Sequence, residues 1–209
     1  MKKLIFTICL CAIAYFGHSQ SSKYLPAMEA NLKIMDTAKA ASTYLDLSGK
    51  FERIANAEKT QWLPFYYAAL SLDLYGFQAP ESKKDEIGDK ALALIDQAQK
   101  LNDNSELYAP KYMAYIIQML VDPMNRYQSY GMLANDALSQ GMKLDSLNPR
   151  LFYLKGSGLL QTPTFAGGGK DAAKPYLEKS IELFDKEKPA KMYPNWGKTQ
   201  ALETLEKCK

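Results

Sequence analysis

The chain has 209 residues, with 26 basic and 23 acidic side chains, 47% apolar residues, one histidine and three cysteines. So even a balance of charge carries no signature of nucleic acid, a polyanionic membrane surface or an acidic tail. The apolar fraction is enough for a substantial core in one domain.

Met1-Lys2-Lys3 opens the chain, followed by a mostly apolar run from Leu4 to Phe16 and then Gly17, Ser19 and Gln20. A basic start, a short apolar stretch and small residues before a cut describe a secretory signal peptide. The run has 13 residues, short of the roughly 20 that a membrane span takes. A buried N-terminal helix is the other reading of that run. Lipid attachment is disfavoured because Cys9 follows Ile8 and Cys11 follows Leu10, with no small residue before either. The expected leader is residues 1–19, followed by an N-terminal helix or cap over 20–40 and a helical-repeat domain over 41–209.

Cleavage after Ser19 takes Lys2 and Lys3 away, leaving 24 basic side chains of the 26 against 23 acidic. Cys9, Cys11 and His18 leave too, so Cys208 becomes the lone cysteine, expected as an exposed free thiol. An internal disulfide is then excluded, as are histidine bases, Ser-His-Asp triads, Cys-His pairs and histidine zinc sites. No catalytic residue, metal or cofactor is assigned. The protein is expected to be exported, periplasmic or secreted, and monomeric.

The pattern predicts a short helix over about 26–35, a second over 39–57, and a third from Trp62 to Phe77 capped by Thr60. Residues 76–84, with Ala79-Pro80, read as a loop. A fourth helix follows over about 85–101, with Asp85-Glu86 favouring its positive end. Ser105 opens a fifth helix, which ends before Asp122-Pro123; a sixth covers 126–144. Asn148-Pro149 supplies an N-cap and a first-turn proline for a seventh. That helix ends near Thr162-Pro163, a turn follows over 165–169, an eighth helix spans about 171–186, and Pro194 opens a last one. No period-two strand pattern appears, so the fold class is all-α with about nine helices.

Within these helices one pattern returns four times. Ala41, Leu45, Ser48 and Phe51 recur in kind as Ala91, Ile95, Ala98 and Leu101, as Ala137, Gly141, Leu144 and Leu147, and as Ala173, Leu177, Ser180 and Leu183. The spacing puts small and apolar groups on one helix face, where a neighbouring helix can approach closely. Sets separated by 50, 46 and 36 residues indicate stacked helical hairpins, an α-solenoid. An aromatic opener precedes three of the sets: Trp62, Phe65, Tyr66, Ala69; Tyr108, Lys111, Tyr112, Tyr115; Phe152, Lys155, Gly156, Leu159. This arrangement resembles the tetratricopeptide repeat (TPR), and the Phe165–Lys170 turn with Pro194-Asn195-Trp196-Gly197 resembles divergent repeat proteins of the bacterial envelope. The first two spacings exceed the family's roughly 34-residue unit, so the connecting loops are longer.

The resemblance implies a concave face lined by the first helix of each pair, with a protein or peptide partner bound there. Carried over by offset from each aromatic opener, that face would comprise Tyr67 and Ser71, Met113 and Ile117, then Arg150, Tyr153, Ser157 and Gln161. Arg150 and Tyr153 would project into the groove, and Trp196 would cap the open end of the solenoid. Most of the fourteen tyrosines fall at core spacing. Gly167, Gly168, Gly169 and Lys170 ahead of a helix form a candidate anion site, or a plain glycine turn; the P-loop spacing is missing. The carboxylates read as helix-start charges (Asp85, Glu86, Asp171) or an outer face (Glu178, Glu182, Asp185), so the chain is read as non-enzymatic. The leading function is binding of a protein or peptide partner in the cell envelope. The alternative is a small-ligand accessory protein, for instance of a solute transporter.

Overall fold

The computed structural model describes residues 21–209; the expected leader, with Cys9, Cys11 and His18, lies outside them. Among the described residues are nine α-helices: α1 (Tyr24–Met35), α2 (Ala41–Ala57), α3 (Trp62–Gly76), α4 (Glu81–Leu101), α5 (Tyr108–Met119), α6 (Pro123–Leu144), α7 (Pro149–Gln161), α8 (Lys170–Lys186) and α9 (Lys198–Glu206). No strand occurs among them, and no helix is long and apolar enough to cross a membrane. Successive helices from α2 to α6 pack as antiparallel neighbours, and α7 pairs with α8. The fold is all-α, built of helical hairpins.

The sequence explains which helix sits where. Of the 15 residues in α3, 13 are buried, so its apolar character all round marks the central helix, enclosed by α2, α4 and α5. The other helices bury one stripe. Ala91, Ile95 and Ala98 on α4, Ala137 and Gly141 on α6, and Ala173, Leu177, Ser180 and Leu183 on α8 are all buried. Leu45, Leu101, Leu144 and Leu147 are exposed. The repeated set therefore marks the helix contacts mainly through its small members, while its last member is buried in two sets (Phe51, Leu183) and exposed in the other two (Leu101, Leu147). At Gly141 a Cβ would stand 2.7 Å from the Tyr108 Cβ and 2.8 Å from a Leu151 methyl. At Gly156 it would stand 2.7 Å from Leu177 Cγ. Glycine is what lets these helices touch.

Local capping corrects several predicted boundaries. Asn148 caps α7 as expected, its Oδ1 accepting from the Arg150 N–H at 3.0 Å. Thr60 caps nothing: Gln61 occupies the N-cap of α3 without a side-chain bond. α4 begins at Glu81, immediately after Pro80, so the predicted loop shrinks and Asp85 is no longer in the first turn. Asp85 instead pairs with Arg126 of α6 at 2.5 Å. Lys84 is buried and donates to the Gly76 carbonyl at 2.9 Å, satisfying a C-terminal group of α3. Ser105 opens only a 3₁₀ turn, capped by Asn104, ahead of α5. Asp122-Pro123 both follows α5 and starts α6, the Asp122 Oδ1 accepting from the Asn125 N–H at 3.3 Å. α9 starts at Lys198 rather than Pro194. Cys208 is a free thiol, half-buried rather than exposed, with Sγ 3.7 Å from the Thr204 carbonyl.

One core residue is out of keeping with its surroundings. Asp73 on α3 is fully buried, and neither carboxyl oxygen has a hydrogen-bond partner among the described residues. Burial pushes its pKa well above the usual carboxylate range. The unfolded chain releases this proton near pH 4 while the folded chain keeps it, so stability falls as pH rises from there towards the folded pKa. In Asp73→Asn that slope, about 1.4 kcal/mol per pH unit for one proton, is expected to vanish; superimposable pH–stability profiles would refute the assignment. Ala91→Leu and Ala137→Leu are each expected to cost roughly 1–3 kcal/mol by overpacking the helix contacts. Denaturation midpoints test this, and unchanged midpoints in both variants would mean these alanines mark no contact.

Candidate functional site

The predicted concave-face residues lie together but under cover. Tyr67, Ser71, Met113, Ile117 and Arg150 are buried, Tyr153 and Ser157 are half-buried, and Gln161 is exposed. The irregular segment 187–197 between α8 and α9 lies against the aromatic part of this set. The Tyr67 hydroxyl donates to the Met192 carbonyl at 2.8 Å, and the Trp196 indole N–H donates to the Tyr66 hydroxyl at 2.7 Å. Tyr193 meets Trp62 edge-on at 5.6 Å, and Trp196 meets Tyr153 edge-on at 6.5 Å. Lys191 pairs with Glu29 on α1. Pro189 and Pro194 keep the segment from continuing a helix. Two left-handed residues, Met192 (φ 66) and Gly197 (φ 112), turn it.

Arg150 anchors this arrangement instead of reaching into a groove. It is 2% exposed. Its Nε donates to Glu106 at 2.6 Å, one terminal nitrogen donates to Glu106 at 2.8 Å, and both terminal nitrogens donate to Glu187. A longer bond of 3.4 Å reaches the Trp196 carbonyl, and Asn148 supports Glu106 from the side at 2.8 Å. Burial opposes the guanidinium charge, but the two carboxylates outweigh it and raise the Arg150 pKa. Glu106 is raised by its burial, against the pull of Arg150. Trp196 likewise is no terminal cap: its ring lies between Tyr66 and Tyr153.

The glycine turn binds itself. The N–H groups of Gly167, Gly168 and Gly169 donate to the carbonyls of Thr164, Pro163 and Leu159 at 3.0, 3.1 and 2.9 Å. With these donors taken, the triglycine is a tight turn into α8 with Lys170 exposed beside it, not an open anion cradle.

An open concavity lies elsewhere, on α6. Tyr127, Gln128, Gly131, Met132 and Asn135 line a cavity of about 440 Å³. Their spacing puts them on one side of the helix. Gly131 is the contrast to Gly141 on the same helix: a Cβ there meets nothing closer than the Tyr127 ring at 3.8 Å and the Met119 sulfur at 3.9 Å. α6 is thus pressed hard at Gly141, whereas at Gly131, itself buried, a Cβ would find ordinary van der Waals contact. Around this opening Met124 and Met132 are 92% and 72% exposed, and Tyr127 is also exposed. Asn135 is fixed by its Nδ2, which donates to the Gly131 carbonyl at 2.8 Å, and its Oδ1 accepts from Lys155 of α7 at 2.8 Å. Arg126 holds the start of α6 through Asp85 and the Gln118 carbonyl. A smaller cavity of about 230 Å³ lies between α1 and α2, where Lys50 pairs with Asp46 and Glu58 accepts from Ser21. Among the described residues no group of three or more histidine, cysteine or acidic side chains is placed to hold a metal ion.

Sequence reasoning passed over the α6 cavity. Its signal is the run Met124, Tyr127, Met132 and Leu133, apolar side chains that fall outside the Ala134, Ala137, Gly141 packing stripe.

No protein-family model matches the chain, and no curated protein does. Among solved structures it matches the HusA haemophore from Porphyromonas gingivalis with 30% sequence identity and a TM-score of 0.84, covering 91% of this chain and 95% of that one. The chain belongs to the HusA family. HusA is described as a haemophore, a protein that binds its ligand rather than transforming it. Because both chains are covered almost throughout, the HusA family shares the whole stack of helices and not one motif within it.

In this HusA-family chain, Arg150→Met is expected to lower stability by about 2–4 kcal/mol, since it leaves two half-buried carboxylates facing each other without their cation. Urea denaturation measures the loss, and a cost below 1 kcal/mol would mean that the cluster does not hold segment 187–197 in place.

Proposed function

We propose that this protein is an exported, non-enzymatic binding protein whose cargo is a haem-type tetrapyrrole, taken up in the α6 cavity above Gly131. The reading rests on one conjunction: family membership with a haemophore, and an open cavity whose floor lacks a side chain. The residues fit such a cargo. The methionine and tyrosine side chains around Gly131 offer apolar surface to a flat macrocycle. The described residues contain no histidine. The donors at hand for iron are the Tyr127 phenol and the thioethers of Met132 and Met119, both types found on haem iron. Haem brings its own iron chemistry; the chain's part is to bind, orient and shield it.

In this reading residues 1–19 are a cleaved leader, 20–40 an N-terminal cap and 41–209 a TPR-like repeat domain, working as a monomer in the periplasm or outside the cell. The TPR-like assignment draws support from the small residues of the repeated set, buried at the helix contacts. A protein or peptide partner on the concave face is the second reading. Such a partner would have to displace segment 187–197, which already bonds to Tyr66, Tyr67 and Arg150. The small-ligand reading needs no such displacement.

Haemin titration of the secreted protein, followed by its visible absorption, tests the proposal. The wild-type chain is expected to bind haemin, and Gly131→Leu to weaken binding tenfold or more by filling the cavity. A thermal melt of the variant accompanies the titration, since Gly131 is buried beside Tyr127 and Met119 and a larger side chain there has to be accommodated by the fold. Equal haemin affinity in the two proteins would rule out the α6 site.

A further inference from the structure

We infer that Lys155 is the anchor for a carboxylate of the cargo, so that the α6 site selects a tetrapyrrole with free acid side chains over its neutral ester. The inference rests on the α6 reading above and adds the source of its specificity. The five residues lining the cavity are all uncharged: Tyr127, Gln128, Gly131, Met132 and Asn135. Charge reaches its margin from α7, where the Lys155 ammonium donates to the Asn135 Oδ1 at 2.8 Å. Asn135 cannot swing away with it, because its other amide arm is tied to the Gly131 carbonyl. The ammonium is therefore held beside the same glycine that forms the floor.

Like Lys84, whose ammonium meets a backbone carbonyl, Lys155 lies beyond ion-pair distance of any carboxylate among the described residues. Lys90, Lys111, Lys179, Lys186 and Lys198 each lie within ion-pair distance of a carboxylate. Lys155 has only the neutral amide among the described residues. The nearest acidic neighbour of Asn135 in sequence, Asp136, is engaged by Gln140 at 2.5 Å. Arg126, the other cation on this stretch of α6, is committed to Asp85. A cation held by a neutral partner at the edge of an apolar concavity suits an amphipathic acid. The apolar body enters the cavity and the carboxylate meets the ammonium at the rim, where a charged hydrogen bond replaces a neutral one.

Metal-free protoporphyrin IX and its dimethyl ester separate this from iron ligation, since neither carries a metal. Fluorescence titration of the full secreted chain is expected to show the free acid bound roughly two- to fivefold more tightly than the ester, the range of a partly exposed ion pair. Lys155→Met should abolish that preference while leaving ester affinity unchanged, and Lys155→Arg should keep it. Thermal melts of each variant confirm the fold. A preference retained in Lys155→Met, or absent from the wild type, overturns the anchor and leaves the cavity reading standing. Undiminished binding of both porphyrins by Gly131→Leu overturns the cavity reading and the anchor with it.

Discussion

The arrangement turns on one buried arginine. Arg150 sits between Glu106, just ahead of α5, and Glu187, just after α8, and so ties three distant stretches of chain to one planar group. A buried ion pair adds little net stability over an apolar packing of the same shape, yet removing one partner is costly. Its role here is geometric. Bidentate contact with both carboxylates fixes the direction in which the chain leaves α8. From that point Met192, Tyr193 and Trp196 fall onto Tyr67, Trp62 and Tyr66. The aromatic face expected to be open is thereby covered by the protein itself.

A filled inner face changes where a ligand can go. Aromatic rings that would have offered stacking surface are spent on one another, and their hydroxyls on the covering segment. Burial pushes the Tyr66 and Tyr67 phenols up out of the physiological range, so they remain neutral hydrogen-bonding groups. Uncommitted apolar surface remains on the outer side of α6, where Met124 and Met132 are exposed. A carrier needs a site that its cargo can enter and leave without unfolding the scaffold. A rigid stack with an open cavity on one helix meets that requirement, and its cost is exposed methionine and tyrosine surface.

Much of the fold was legible because its determinants are local. Asn148-Pro149 declares a helix start by capping chemistry alone, and the recurring small residues declare helix contacts by their spacing. The boundaries that failed did so where one feature serves two elements: Asp122-Pro123 follows one helix and caps the next, and Pro80 immediately precedes the first turn of α4. The site was less legible because its determinants are distant. Arg150 is 44 residues from Glu106 and 37 from Glu187, and Tyr67 is 125 from Met192. Nothing in the sequence near Arg150 separates a groove cation from a buried one. Its position in the first turn of α7 suits either.

Gly131 and Gly141 state the same difficulty in its smallest form. Both are helical glycines on α6, and sequence gives them equal standing. Their meaning is set by what lies opposite. At Gly141, Tyr108 and Leu151 press to within 3 Å of where a side chain would begin, so the missing Cβ is a packing requirement. At Gly131 no neighbour presses, so packing does not account for the residue. A helix normally gains by replacing such a glycine with alanine, by about 1 kcal/mol. Gly131 is buried yet a Cβ there would reach only ordinary contact distance, so helix packing tolerates a side chain at this point and forbids one at Gly141.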